Sequence, residues 1–262
     1  MGPLRLTKWD ADTESIFTET VTQPSLHDLT DLPSLASSHE IESLDICHFH
    51  FPATAPEYLN TLKQKFREAK VSFDTLLIDY GDISHRDAGR RTADVAFIEE
   101  WIDVAARVGA KRVRVVAGEA AADDHAALAR SADALKHLID YADARGVGVV
   151  TENFRSLAST ADNCLYLLDA CNGELGLIAD FGNFPNPVKM TELARILPRA
   201  IEVHAKGYYD AFGMPDEKEL RSCLDLLVEA RFDGPVTIVY DGPGDEWAGI
   251  ERVKAVVKRT IL

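Results

Sequence analysis

Four side chains able to hold a cation or move a proton stand at the ends of four short apolar runs. They are Glu152 in GVGVVTENF, Asp180 in LGLIADFGN, His204 in AIEVHAKG and Asp241 in PVTIVYDGP. Each run reads as a buried strand, and the intervals between them leave room for one helix each. Side chains two apart on a strand share a face, which groups Val150 with Glu152, Ile178 with Asp180, Glu202 and Lys206 with His204, and Val239 with Asp241. Three carboxylates and one imidazole on consecutive parallel strands suit a hard divalent cation, with Glu152, Asp180, His204 and Asp241 as its ligands. A cation bound to a carbonyl and an adjacent hydroxyl oxygen acidifies the C–H between them and stabilises the enediolate formed on deprotonation. One carboxylate removes that proton and an acid returns it. Glu152 and Asp241, from strands on opposite flanks of Asp180 and His204, are the expected catalytic pair.

Other polar residues are placed to dress such a pocket. Lys206 lies two residues beyond His204 and is expected to hold a substrate oxygen. His48 and His50 in CHFHF are read as sharing a strand face. Asn183 has an amide suited to a sugar hydroxyl but exchanges no proton near neutral pH. His85 belongs to the polar run DYGDISHRD with Asp79, Asp82 and Arg86, and Glu119 follows Ala117-Gly118. Trp9 offers a ring for the apolar face of a sugar. Asp245 reads as the N-cap of the last helix. Gly242-Pro243-Gly244 lies among acids, so a neutral polyol or keto-sugar fits better than a sugar phosphate.

The elements that must position these residues are read from periodicity. Strands are expected at Leu4–Lys8, within 41–51, and at 71–79, 111–117, 147–152, 175–180, 200–206 and 236–241. The span 11–40 reads as polar and turn-rich, with a short helix near 26–35. Helices are expected over 55–69, 92–108, 124–144, 161–170, 191–197, 217–230 and 247–260. Val95, Ile98, Trp101, Ile102, Ala105 and Val108 form one helical stripe. Eight strands alternating with helices in 262 residues predict an α/β fold, a single (β/α)8 TIM barrel spanning residues 1–262 as one domain. No Gly-rich nucleotide fingerprint follows any strand.

Composition narrows the function. A net charge of −15 argues against nucleic acid as a partner. No run approaches the length of a membrane span, and the N-terminal residues turn acidic before an export signal could form, so a cytoplasmic protein is expected. The four cysteines, Cys47, Cys164, Cys171 and Cys223, have no zinc-type spacing and are expected as free thiols.

The motifs TENF, DFGN, VHAKG and IVYDGP, in that order, together with IEEWIDVAARVGAKRVRVVAGEA, resemble the xylose-isomerase-like sugar isomerase/epimerase barrels, a superfamily that includes the endonuclease IV group. The resemblance covers about residues 40–262. It implies Mn2+ or Mg2+ held by Glu152, Asp180, His204 and an acid on the last strand, with the first and last of these acids flanking the substrate carbon. It also implies a small carbohydrate-like substrate and a homo-oligomer. Two positions depart from the family pattern: Val239 stands where Glu is usual, with Asp241 two residues later, and Asn183 stands where His is frequent. The expected function is a metal-dependent isomerase or epimerase. A lyase or dehydratase acting on an oxidised sugar or glycoside by the same enolisation, or a barrel subunit without turnover, are the alternatives.

Overall fold

A computed structural model describes residues 4–22 and 26–261. Its contacts divide the chain into two compact units, one running to Thr151 and the other beginning at Glu152. In the first unit, β1 (Leu4–Asp10) pairs antiparallel with β2 (Ser15–Val21). Then follow α1 (Leu32–Ser38), β3 (Ser43–Cys47), α2 (Pro56–Ala69), β4 (Ser72–Ile78), α3 (Ala88–Val108), β5 (Arg112–Val115) and α4 (His125–Asp143). β6 (Gly148–Glu152) ends at the boundary. The second unit continues with α5 (Ala161–Ala170), β7 (Gly176–Asp180), α6 (Lys189–Ile196), β8 (Glu202–Lys206), α7 (Glu217–Ala230), β9 (Val236–Val239) and α8 (Glu246–Ile261). Neighbours are parallel along β3–β4–β5–β6 and along β7–β8–β9.

The expected stripe explains how α3 packs. Ile98, Trp101, Ile102, Ala105 and Val108 are buried, each large one worth about 1.5–3 kcal/mol of transfer free energy. Asp87 caps the start by accepting the Arg90 N–H at 2.8 Å, and Gly109 ends the helix with φ +82°, a left-handed conformation that glycine adopts without strain. Thr160 and Asp216 cap α5 and α7 in the same way.

Three sequence expectations change. The first strand exists but belongs to the β1–β2 hairpin, so among the described residues seven strands are parallel, not eight. The hairpin is made locally: Asp10 Oδ1 accepts the N–H groups of Asp12 and Thr13, closing an Asx turn, and β2 occupies part of the span read as turn-rich. β2 leaves no periodic signal in the sequence because it buries no face; Phe17 is 43% exposed. The second change concerns His48 and His50, which lie in a 3-10 turn after β3, so they do not share a strand face. Finally, β9 ends at Val239, and Asp241 is in the loop beyond it.

Candidate metal centre

The second unit brings three of the four expected ligands together. Asp180 and His204 are register partners on the adjacent parallel strands β7 and β8, so both side chains leave the same face of the sheet. Glu152, at the end of β6, completes the group. Nδ1 of His204 lies 3.8 Å from Oε1 of Glu152 and 3.7 Å from Oδ2 of Asp180, and each residue is only 4% exposed. These separations are too long for hydrogen bonds. They are close enough for both atoms to bond one ion, because two ligands about 2.1 Å from a metal are at most about 4.2 Å apart. Two carboxylate oxygens and one imidazole nitrogen form a donor set suited to Mg2+, Mn2+ or Zn2+. The residues fit a divalent cation.

Local hydrogen bonds fix the carboxylates. The Gly182 N–H donates to Asp180 Oδ1 at 2.5 Å, which leaves Oδ2 as the oxygen turned to His204. The Asn183 amide donates to Glu152 Oε1 at 2.9 Å. Asn153, 1% exposed, acts as a backbone substitute: its side-chain oxygen accepts the Asp180 N–H at 2.7 Å and its amide donates to the Asp180 carbonyl at 3.0 Å. The end of β7 is thereby tied to the residue after Glu152. Behind His204 stands the fully buried Glu202, whose Oε1 is 4.0 Å from Nε2 and accepts the Thr237 hydroxyl at 2.9 Å.

Asp241 lies outside the three-residue group. Its Oδ2 accepts from Lys206 Nζ at 2.8 Å, and its side chain is 53% exposed. The pairing is set by register: Lys206 is opposite Val239, so an acid at 239 would sit beside the lysine on the strand, whereas Asp241 meets it from the loop. Burial works against the charge of Lys206. The bond to Asp241, with the nearby charges of Asp241, Asp180 and Glu152, outweighs burial and holds the ammonium pKa above its ordinary value. Lys206 and Asp241 line a cleft of about 410 Å³ together with Gly182, Gly207, Tyr208 and Tyr209.

The remaining expected residues belong to the first unit. His48 is buried, its Nδ1 accepting the Asp79 N–H at 3.2 Å and its ring packed edge-on against Trp101. Burial lowers its pKa to about 4, and that of His50 to about 4 as well. Nε2 of His48 and Nδ1 of His50 are buried with no hydrogen-bond partner among the described residues. Arg114, largely buried, donates to Asp79. His85 Nδ1 accepts the Asp87 N–H at 3.1 Å, and the exposed Glu119 donates its own N–H to Asp82 Oδ1 at 3.3 Å. Trp9 is half-buried beneath the Arg90 guanidinium, 5.5 Å from its ring centre. A larger cleft of the first unit, about 600 Å³ between the hairpin and α3, is lined by none of the expected residues.

Asn153 and Glu202 are the residues that sequence reasoning missed. Glu202 had a signal, since it shares strand parity with His204; Asn153 had only its place beside Glu152.

The profile of a family described as the xylose isomerase-like TIM barrel matches residues 34–257. The chain belongs to this family. Its fold class is accordingly α/β of the TIM-barrel type. Among solved structures, L-ribulose 3-epimerase is 16% identical with a TM-score of 0.70, covering 86% of this chain and 88% of its own. The apo form of 3-keto-D-glucoside 4-epimerase from E. coli is 15% identical with a TM-score of 0.68, covering 90% and 97%. A xylose isomerase-like TIM barrel protein from Mycobacterium smegmatis, in complex with magnesium, is 16% identical with a TM-score of 0.66, covering 87% of each chain. At these identities the likeness is one of fold. Among curated proteins, none matches the sequence. Among the described residues, no helix is long and apolar enough to cross a membrane.

Proposed function

We propose that the chain is a divalent-metal-dependent isomerase or epimerase of a keto-sugar or related polyol, working by carboxylate acid–base catalysis. The observation that carries this reading is the buried convergence of Glu152, Asp180 and His204 at separations suited to one shared cation. Two of the similar folds are sugar epimerases, and a third was solved with magnesium, which supports the substrate class and a hard cation such as Mg2+ or Mn2+.

A cation held by Glu152, Asp180 and His204 would polarise a carbonyl and the hydroxyl beside it, lowering the barrier to removal of the intervening proton. Glu152 takes that proton; the Asn183 amide on Oε1 fixes the plane of its carboxylate. Asp241 is the second carboxylate, the one that returns a proton. Lys206, held charged beside it, supplies a donor to a substrate oxygen. In the first unit, His48, whose Nε2 has no partner among the described residues, and His50, His85, Glu119 and Trp9 are the candidates for hydroxyl and ring contacts. Four cysteines that form no disulfide among the described residues accord with a cytoplasmic site of action.

One observation also favours a lyase or dehydratase. Asp241 is paired with a lysine and stands outside the metal group, so the two proton-transfer positions are unlike each other, as elimination requires. Incubation with keto-sugars in D2O separates the readings: exchange with an intact carbon skeleton supports isomerisation, and loss of a substituent supports elimination. Glu152→Gln abolishes exchange in either case, and unchanged exchange would remove Glu152 as the base.

A further inference from the structure

The cleft that Lys206 and Asp241 line has two kinds of wall. One is charged: Lys206 and Gly182 lie two residues beyond His204 and Asp180, and Lys206 pairs with Asp241. The other is aromatic. Tyr208 lies in the loop after β8 and is 48% exposed. Its covered side rests on Lys189, whose Nζ is 4.3 Å from the ring centre. Lys189 is only 1% exposed and donates to the half-buried Glu219 at 2.5 Å, so the ring lies against an ion pair supplied by α6 and α7 whose cation is buried.

That arrangement carries information. Burying a lysine is costly before its attraction to Glu219 is counted, and placing the cation over an aromatic face recovers part of that cost. A tyrosine at an arbitrary surface position needs no such support. The Lys189 ammonium backs the ring, and Tyr208 lines the cleft. Gly182, Gly207 and Gly242 line the same cleft with their backbone. At about 410 Å³ the cleft is within the range that takes drug-sized ligands.

We infer that Tyr208 is the stacking platform of a second subsite, and that the substrate is a two-ring glycoside. The ring carrying the carbonyl faces the Glu152–Asp180–His204 group, and the ring attached through the glycosidic bond lies on Tyr208. Lys206 and Asp241, between the two, offer a donor and an acceptor to the hydroxyls near the linkage. The assignment of the first ring rests on the function proposed above; the platform itself rests on Tyr208, Lys189 and Glu219.

Binding of methyl and phenyl β-D-glucopyranoside, neither of which can enolise, tests the platform by calorimetry on the intact protein. The phenyl compound is expected to bind about three- to tenfold more tightly, the range of one aromatic contact. Tyr208→Ala brings the ratio toward one, and Tyr208→Trp preserves it. Equal affinities in the native protein, no measurable binding of the phenyl compound, or a preference that survives Tyr208→Ala would overturn the inference. Proton exchange of a free keto-sugar in D2O reports separately on the enolisation chemistry. Failure of that exchange with the phenyl preference intact removes the catalytic reading and leaves the platform.

Discussion

Oε1 of Glu202 lies 4.0 Å from Nε2 of His204, on the far edge of the imidazole from Glu152 and Asp180. A carboxylate on that edge favours the tautomer with its proton on Nε2, which leaves the Nδ1 lone pair directed at the cation position. Glu202 is itself held by the Thr237 hydroxyl across β8 and β9. Its removal is expected to lower divalent affinity by about ten- to a hundredfold. Calorimetric titration of Glu202→Gln with Mn2+ measures this, and an affinity equal to that of the native protein would dismiss the orienting role.

Cation binding should stabilise the fold. Free Mn2+ at about a hundred times its dissociation constant adds about 2.7 kcal/mol to the unfolding free energy. A chain of this size should then gain several degrees in Tm, reversed by a chelator. In Asp180→Asn the gain should vanish, because the oxygen turned to His204 loses its charge. A Tm rise of equal size in that variant would place the cation elsewhere.

Acid should weaken the first unit through His48. Its native pKa is about 4 because burial disfavours the imidazolium, an effect the Asp79 charge only partly offsets. Unfolded, the group titrates near 6.5. Between those values the unfolded chain binds the extra proton, so the stabilisation is fully present above about pH 6.5 and is lost as pH falls towards 4. The loss is on the order of 3 kcal/mol for this buried ring. Urea unfolding at pH 7 and pH 4.5, with His48→Gln flattening the difference, checks the assignment.

Gly182 is required by close approach. A Cβ there would stand 2.9 Å from Cδ of Lys206 and 3.1 Å from Oδ1 of Asp180. The lysine stem is flexible and moves aside, so Gly182→Ala should cost only about 1 kcal/mol or less in stability. The function should suffer more, because the displaced ammonium leaves Asp241. We expect KM for a keto-sugar to rise several-fold in Gly182→Ala while Tm stays within a few degrees of the native value. Unaltered KM would remove Lys206 from the substrate contacts.

Much of the architecture is legible in the sequence. The helix over Ala161–Ala170 and that over Glu217–Ala230 fall where the 3.6-residue period places them, and β6, β7 and β8 lie within the apolar runs. Parity along those runs put Glu152, Asp180 and His204 at strand ends. Both signals are local: a strand or helix writes its own period into the sequence because one face of it is buried.

What the sequence by itself determined, then, is the alternation of elements and the identity of three side chains at consecutive strand ends. The tertiary structure decided the partners. β1 turned to β2 because the Asp10 turn closes a hairpin, and β2, with no buried face, leaves no period to read. Asp241 met Lys206 because β9 stops at Val239 and the loop swings the acid to the lysine. Asn153 and Glu202 acquired their places from groups 27 and 35 residues away, Asp180 and Thr237. A hydrogen bond between distant residues has no period and no spacing rule, so only the folded chain discloses it.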